Sequence, residues 1–189
     1  MTDTHILEGV LDKTAAIVAG VAPADGGRPT PCTEHDVNSL VGHIVAWVRV
    51  FANGPAGDEQ PADPEAYVST DPAGDFRAAA AKAVAAYQAL PDDAPVRLSS
   101  GSMPAAASVA MMTGEYLAHG WDLAKATGQP IPYTDEEAEV AQEGLAPLLA
   151  PEYRGDGMPF GEIVEVPDTA SGLDRFIGFS GRNPDYVAG

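Results

Sequence analysis

The segment Met111-Met112-Thr113-Gly114-Glu115-Tyr116-Leu117-Ala118-His119-Gly120-Trp121-Asp122-Leu123-Ala124 constrains the fold more than any other part of the chain. Val109, Met112, Tyr116, Leu123 and Ala126 recur at helical spacing. They predict a helix from about Pro104 to Thr127, closed by Gly128 and Pro130. Apolar side chains flank its polar positions on every side, and a helix that is apolar almost all round has to be enclosed by other elements. Its polar stripe nevertheless holds Glu115, His119 and Asp122 at intervals of four and three residues, on one face. Buried charge without partners is costly. The segment therefore predicts both a bundle around it and a polar site within the bundle.

The rest of the chain supplies the surrounding helices. Leu7, Val10, Leu11, Thr14, Val18 and Val21 mark a helix over about 4–21, stopped by Pro23 and Gly26-Gly27. Thr33-Glu34-His35-Asp36 reads as a variant capping box opening a helix over about 34–52. That helix carries Val37, Leu40, Val41, Ile44, Val48 and Phe51 as its apolar stripe and is closed by Asn53-Gly54-Pro55. Asp71-Pro72 starts a third helix that reaches Leu90. Thr134-Asp135-Glu136-Glu137 starts a fifth, running to about Ala146, and a short last one is expected near 170–180. Val96 and Leu98 alternate with polar residues over 95–103, as a short strand or an extended loop, and Glu162–Val166 is β-like. The fold class expected is all-α: a four-helix bundle with a short additional C-terminal helix and little or no β structure. A single domain over 1–189 is expected, with 129–189 as an extension packed on the bundle, because the region after Gly128 has too little apolar material for its own core.

Charge narrows the function classes. The 28 acidic and 10 basic residues give a net charge of −18, and the basic residues form no run. Such a surface repels phosphate backbones and anionic membranes, so neither nucleic acid nor membrane is expected as a partner. No stretch approaches the ~18 apolar residues of a membrane span. Met1-Thr2-Asp3-Thr4 lacks the cationic and apolar regions of a secretory signal. Cys32 is the single cysteine and has no intramolecular disulfide partner. A cytoplasmic location is the expectation.

The chemistry centres on histidine. His43 lies beside the apolar stripe of the second helix, with Leu40 and Trp47 as neighbours. If the second and fourth helices face each other, His43, Glu115 and His119 converge as two imidazoles and a carboxylate. Three protein ligands with a free position is the arrangement of catalytic zinc, and the same donors suit iron or nickel. Asp122 is placed either to orient the His119 ring from outside the ligand set or to pair elsewhere. Cys32 reads as a hydrophobic staple with Val37 across the helix start; a thiol activated by the helix N-terminus and His35 is the alternative. Trp47 and Trp121 read as core packing, His5 as surface, and Arg49 as lying on a different helical face from His43.

These residues resemble the DinB/YfiT-like superfamily, and specifically the metal-binding domain of mycothiol-dependent maleylpyruvate isomerase and its actinobacterial relatives. The resemblance rests on Thr30-Pro31-Cys32, on Leu40-Val41-Gly42-His43, and on Glu115 with His119-Gly120-Trp121-Asp122-Leu123-Ala124 and Ala126-Thr127-Gly128. Phe160, Val166-Pro167-Asp168, Asp174-Arg175 and Gly181-Arg182-Asn183-Pro184 add to it. His35 departs from the pattern, which has an aromatic residue there, usually Trp.

The resemblance implies a four-helix bundle holding a divalent metal, usually zinc, through His43, Glu115 and His119, with mycothiol as a thiol cofactor. The function expected is a metal-dependent isomerase or S-transferase acting on a small electrophile, in which the metal activates a low-molecular-weight thiol or water at its open position. The alternative is a non-enzymatic metal- or small-ligand-binding bundle. Monomer and homodimer are both compatible with the sequence.

Overall fold

The computed structural model describes residues 1–98, 101–155 and 160–188. Its elements are α1 (His5–Ala19), α2 (Val37–Ala56), α3 (Pro72–Gln88), β1 (Pro95–Leu98), β2 (Gly101–Pro104), α4 (Ala105–Thr127), α5 (Asp135–Leu145) and α6 (Gly172–Phe179), with single 3-10 turns at 23–25, 64–66, 146–148 and 151–153. Contacts run from α1 to α3, α3 to α2, α2 to α4 and α4 back to α1, so the four long helices stand around the bundle in that order. Helix α5 packs on α4, and α6 packs on α5. The all-α reading holds. Among the described residues no helix is long and apolar enough to cross a membrane.

Burial follows the predicted stripes. Leu7 and Leu11 of α1, Leu40 and Ile44 of α2, Phe76 and Tyr87 of α3, and Met112, Tyr116 and Trp121 of α4 are all buried. Phe51 and Phe76 meet the Tyr116 ring edge-on at 6.3 and 5.6 Å, the arrangement aromatic quadrupoles favour. Helix α4 is enclosed over most of its length, with buried residues from Ala105 to Ala126.

Gly120 sets how closely α1 can approach α4. The Thr14 hydroxyl bonds the Tyr133 hydroxyl at 2.8 Å and donates to the Tyr116 carbonyl at 3.1 Å. A Cβ on Gly120 would overlap the Tyr133 hydroxyl and come within 3.1 Å of Thr14 Oγ1. Gly120→Ala is therefore expected to cost about 3 kcal/mol in a denaturant melt, the upper end of ordinary overpacking. Adding Tyr133→Phe should return part of that loss by removing the overlapping oxygen.

Several boundaries differ from the sequence reading. Helix α2 begins at Val37, and Asp36 rather than Thr33 is its cap: the Asp36 carboxylate accepts the Ser39 N–H at 2.8 Å. The Thr30 hydroxyl lies 2.8 Å from the carbonyls of both Cys32 and His35, and the Val37 N–H donates back to the Arg28 carbonyl. The segment before the helix is thus a closed turn, not a first helical turn. Cys32 accordingly stands too far ahead of the cap to form the staple expected with Val37. Helix α2 also continues through Pro55 to Ala56 and ends at Gly57, whose φ of +73° is the left-handed cap; in the last turn the proline forfeits a single helical hydrogen bond.

Within the 95–103 segment, Pro95–Leu98 pairs antiparallel with Gly101–Pro104, Val96 opposite Met103. The β-like segment Glu162–Val166 forms no strand among the described residues; its Val164 N–H bonds the carbonyl of Gly178 at the end of α6 instead.

Candidate metal centre

Four segments far apart in the chain meet at the polar stripe of α4. Helix α4 supplies Glu115, His119 and Asp122; α2 supplies His43 and Trp47; the turn at 64–66 supplies Glu65; the chain just past α6 supplies Arg182. The α2–α4 contact brings the His43 and His119 rings to a centroid separation of 5.1 Å at an interplanar angle of 73°. On α4 itself, His119 Nε2 lies 3.3 Å from Glu115 Oε2.

Each imidazole is held by a carboxylate on its other nitrogen. Glu65 Oε1 lies 2.8 Å from His43 Nδ1 and accepts the Trp47 indole N–H at 2.6 Å. Asp122 Oδ2 lies 3.2 Å from His119 Nδ1. Asp122 is fully buried, and Arg182, only 6% exposed, neutralises it. The guanidinium donates from Nη2 to Asp122 Oδ2 at 3.1 Å and from Nε at 3.4 Å, and Nη1 donates to the Ser180 carbonyl at 2.8 Å. The His43 and Glu115 side chains keep 22% and 23% exposure, so water reaches the cluster from their side.

The electrostatics follow from these contacts. Burial, together with the neighbouring His119, pushes the His43 pKa down despite the pull of Glu65 and Glu115. Burial would raise Glu115, but the hydrogen bond from His119, with the charges of His119, Arg182 and His43, outweighs it and holds the carboxyl below its ordinary range. For His119 the balance is reversed. Burial disfavours its charge, yet its bonds to Asp122 and Glu115 raise its pKa. Burial also opposes ionisation of Asp122, and the Arg182 charge and the His119 bond overcome it.

Of the expected trio, Glu115 and His119 stand 3.3 Å apart and the His43 ring centroid lies 5.1 Å from that of His119, but among the described residues the three-donor cluster is a different one. Cys32, His119 and Asp122 offer ligand atoms all within 4.8 Å of one another. Arg182 already lies against that cluster, with Nη2 3.5 Å from His119 Nδ1. Burial and the Asp122 charge push the Cys32 thiol pKa up, so its environment does not activate it as a nucleophile. His35 places its ring 5.0 Å from that of His43, on the rim of the site.

Trp121 is core, as expected, but Trp47 is half-buried and bonded to Glu65, which the core-packing reading did not anticipate. Arg49 stacks its guanidinium 3.4 Å from the Tyr67 ring centroid. Glu65 and Arg182 were not identified from the sequence. Glu65 sits in a Pro-rich loop without periodicity, where only the Asp63 cap of its turn marks the local geometry. Arg182 lies within the Gly181-Arg182-Asn183-Pro184 segment, but nothing in its spacing ties it to Asp122.

The sequence profile of the family described as Mycothiol maleylpyruvate isomerase N-terminal domain matches residues 7–124. The chain is 35% identical over 176 residues to an uncharacterized protein of Mycobacterium tuberculosis, found in two strains; the match covers 90% of this chain and 92% of that protein. A crystal structure of a histidine-to-alanine mutant of mycothiol-dependent maleylpyruvate isomerase shares the fold, with a TM-score of 0.51 at 15% identity, over 82% of this chain and 71% of that one.

Proposed function

This chain belongs to the mycothiol maleylpyruvate isomerase N-terminal domain family, and from that membership we propose that it is a divalent-metal-dependent enzyme of the thiol-dependent isomerase or S-transferase type. His43, Glu115 and His119 would hold the metal, zinc in the first place, with iron or nickel suited by the same two imidazoles and one carboxylate. One observation carries the reading: the Nδ1 of each ring lies against a carboxylate of its own, Glu65 for His43 and Asp122 for His119, as outer partners of metal-bound histidines do.

Two separations within the set suit such an ion. Donor atoms about 2.0–2.1 Å from a tetrahedral zinc stand roughly 3.3 Å from one another, and two bound imidazoles have centroids about 5 Å apart. The Glu115–His119 separation of 3.3 Å matches the first and the 5.1 Å between the His43 and His119 ring centroids the second, and closing the set would need a small shift of His43, since the three-donor cluster present is Cys32, His119 and Asp122. Without a cation, the Nε2 of His119 has to carry a proton to face the Glu115 carboxylate, and a divalent ion can replace that proton. The competing cluster of Cys32, His119 and Asp122 suits a cation less well, because the guanidinium of Arg182 already compensates Asp122 there.

A divalent ion held in this way would act as a Lewis acid that ionises a coordinating thiol or water near neutral pH. The protein's own groups do the rest. Glu65 and Asp122 fix the two rings, Arg182 keeps Asp122 ionised, and the exposed flank beside His43 and Glu115 admits a small molecule. At that flank the thiol, its proton given up to water, would add as thiolate across an activated double bond of the substrate, and the displaced electron pair would take a proton back from water.

Calorimetric titration of mycothiol into zinc-loaded and chelator-stripped protein tests the reading. Saturable binding is expected only in the zinc-loaded form. Equal binding in both forms, or none in either, overturns it.

A further inference from the structure

Glu65 belongs to no helix of the bundle, yet its carboxylate makes two of the shortest side-chain contacts at the site. The turn that carries it is built for this position. Asp63 caps the turn by accepting the Glu65 N–H at 3.0 Å, and Pro64 fixes the first residue. Two residues on, Tyr67 lies under the Arg49 guanidinium. Helix α2 thus clamps the loop at two levels, through His43 and Trp47 to Glu65 and through Arg49 to Tyr67.

An ionised carboxylate only accepts hydrogen bonds, and an indole nitrogen only donates. Both partners of Glu65 Oε1 must therefore present a hydrogen, which requires the proton of a neutral His43 to sit on Nδ1. The lone pair of the neutral ring is then on Nε2. In water a free imidazole exchanges between the two tautomers, and the other one would put the proton on Nε2 and leave no lone pair there for a cation.

From this geometry we infer that Glu65 is the positioning residue that sets the tautomer and ring orientation of His43, with Trp47 fixing the carboxylate in place. The inference rests on the reading of His43 as a metal ligand only for its consequence; the tautomer itself is a property of the metal-free protein. It gives the loop over 57–71 a defined role, since that loop carries the outer partner of one ligand while Asp122 provides the other from α4. Outer partners of this kind typically contribute 10–100-fold in metal affinity.

The test uses metal-stripped protein labelled with 15N at histidine, at a pH where His43 is neutral, with Glu65→Ala and Glu65→Gln as variants. Glu65 is half-exposed, so neither substitution opens the core. Nitrogen shifts are expected to place His43 in the Nδ1–H form in the native chain and largely in that form in Glu65→Gln, which keeps an acceptor oxygen. Glu65→Ala should move His43 to a mixture of tautomers, and its zinc affinity should fall by about 10–100-fold. A native His43 in the Nε2–H form, or a tautomer unchanged by Glu65→Ala, overturns the inference. A tautomer that responds to Glu65→Ala in a protein that binds no zinc upholds the inference and refutes the metal reading alone.

Discussion

Replacing His119 by alanine is expected to leave a folded protein that no longer retains zinc. Native protein purified without added ions should carry close to one equivalent of divalent metal by elemental analysis, and His119→Ala should carry almost none. The expected loss of affinity exceeds the roughly 100-fold that removal of an outer partner costs, because the imidazole is a direct donor shared by every arrangement the site allows. The fold should survive, since Asp122 keeps its guanidinium partner. The metal should also register in stability. A ligand at a hundredfold excess over its Kd adds about 2.7 kcal/mol, roughly 5–10 °C in Tm for a chain of this size. A chelator should remove that gain from the native protein and change nothing in His119→Ala. His43→Ala and Cys32→Ser separate the two donor sets. Metal lost on the first substitution and kept on the second supports the proposed ligands, whereas the opposite pattern assigns the ion to the Cys32 side.

Arg182→Ala is expected to be the most destabilising single substitution at the site. Asp122 is 0% exposed and Arg182 6%, and among the described residues the guanidinium is the one charged partner of Asp122 beyond the His119 ring. Removing one member of a buried ion pair costs about 3–5 kcal/mol, because the other is left charged and desolvated. At this chain length that is roughly 6–20 °C in Tm. Arg175→Ala is the control: its pair with Glu139 is solvent-exposed, and its loss should fall within about 1 kcal/mol. The pair also has a pH signature. Asp122 titrates below its ordinary value of 3.8, so its stabilisation is complete above that pH and is lost as pH falls through the lower, folded value. In Arg182→Ala the acid limb of the stability profile should flatten. A melt indistinguishable from that of the native chain would mean that Asp122 is neutralised by other means.

Helix α4 was legible because periodicity and composition agreed. Its apolar residues surround the polar stripe, so burial of most of the helix followed without knowledge of its neighbours. Glu115, His119 and Asp122 were recoverable for the same reason, since residues three and four apart on a helix share a face in any tertiary setting. The start of α2 was not. Thr33 and Asp36 are both good caps, and the choice fell to Asp36 because Thr30 and Arg28 tie the preceding residues into a turn. The Cys32 staple failed with it.

Glu65 and Arg182 mark the boundary of what local reading reaches. Glu65 lies 22 residues from His43, and Arg182 lies 60 from Asp122, with helices or loops between them. No periodicity spans such gaps, and the chain contains other acids and arginines of equal local merit. Local rules, the spacing of apolar residues and the chemistry of caps, determined a bundle of helices with an acid–imidazole stripe inside it. Which loop carboxylate would steady one ring, and which arginine would neutralise the aspartate behind the other, was decided only when packing brought distant segments within hydrogen-bond range, because those interactions depend on three-dimensional distance and not on separation along the chain.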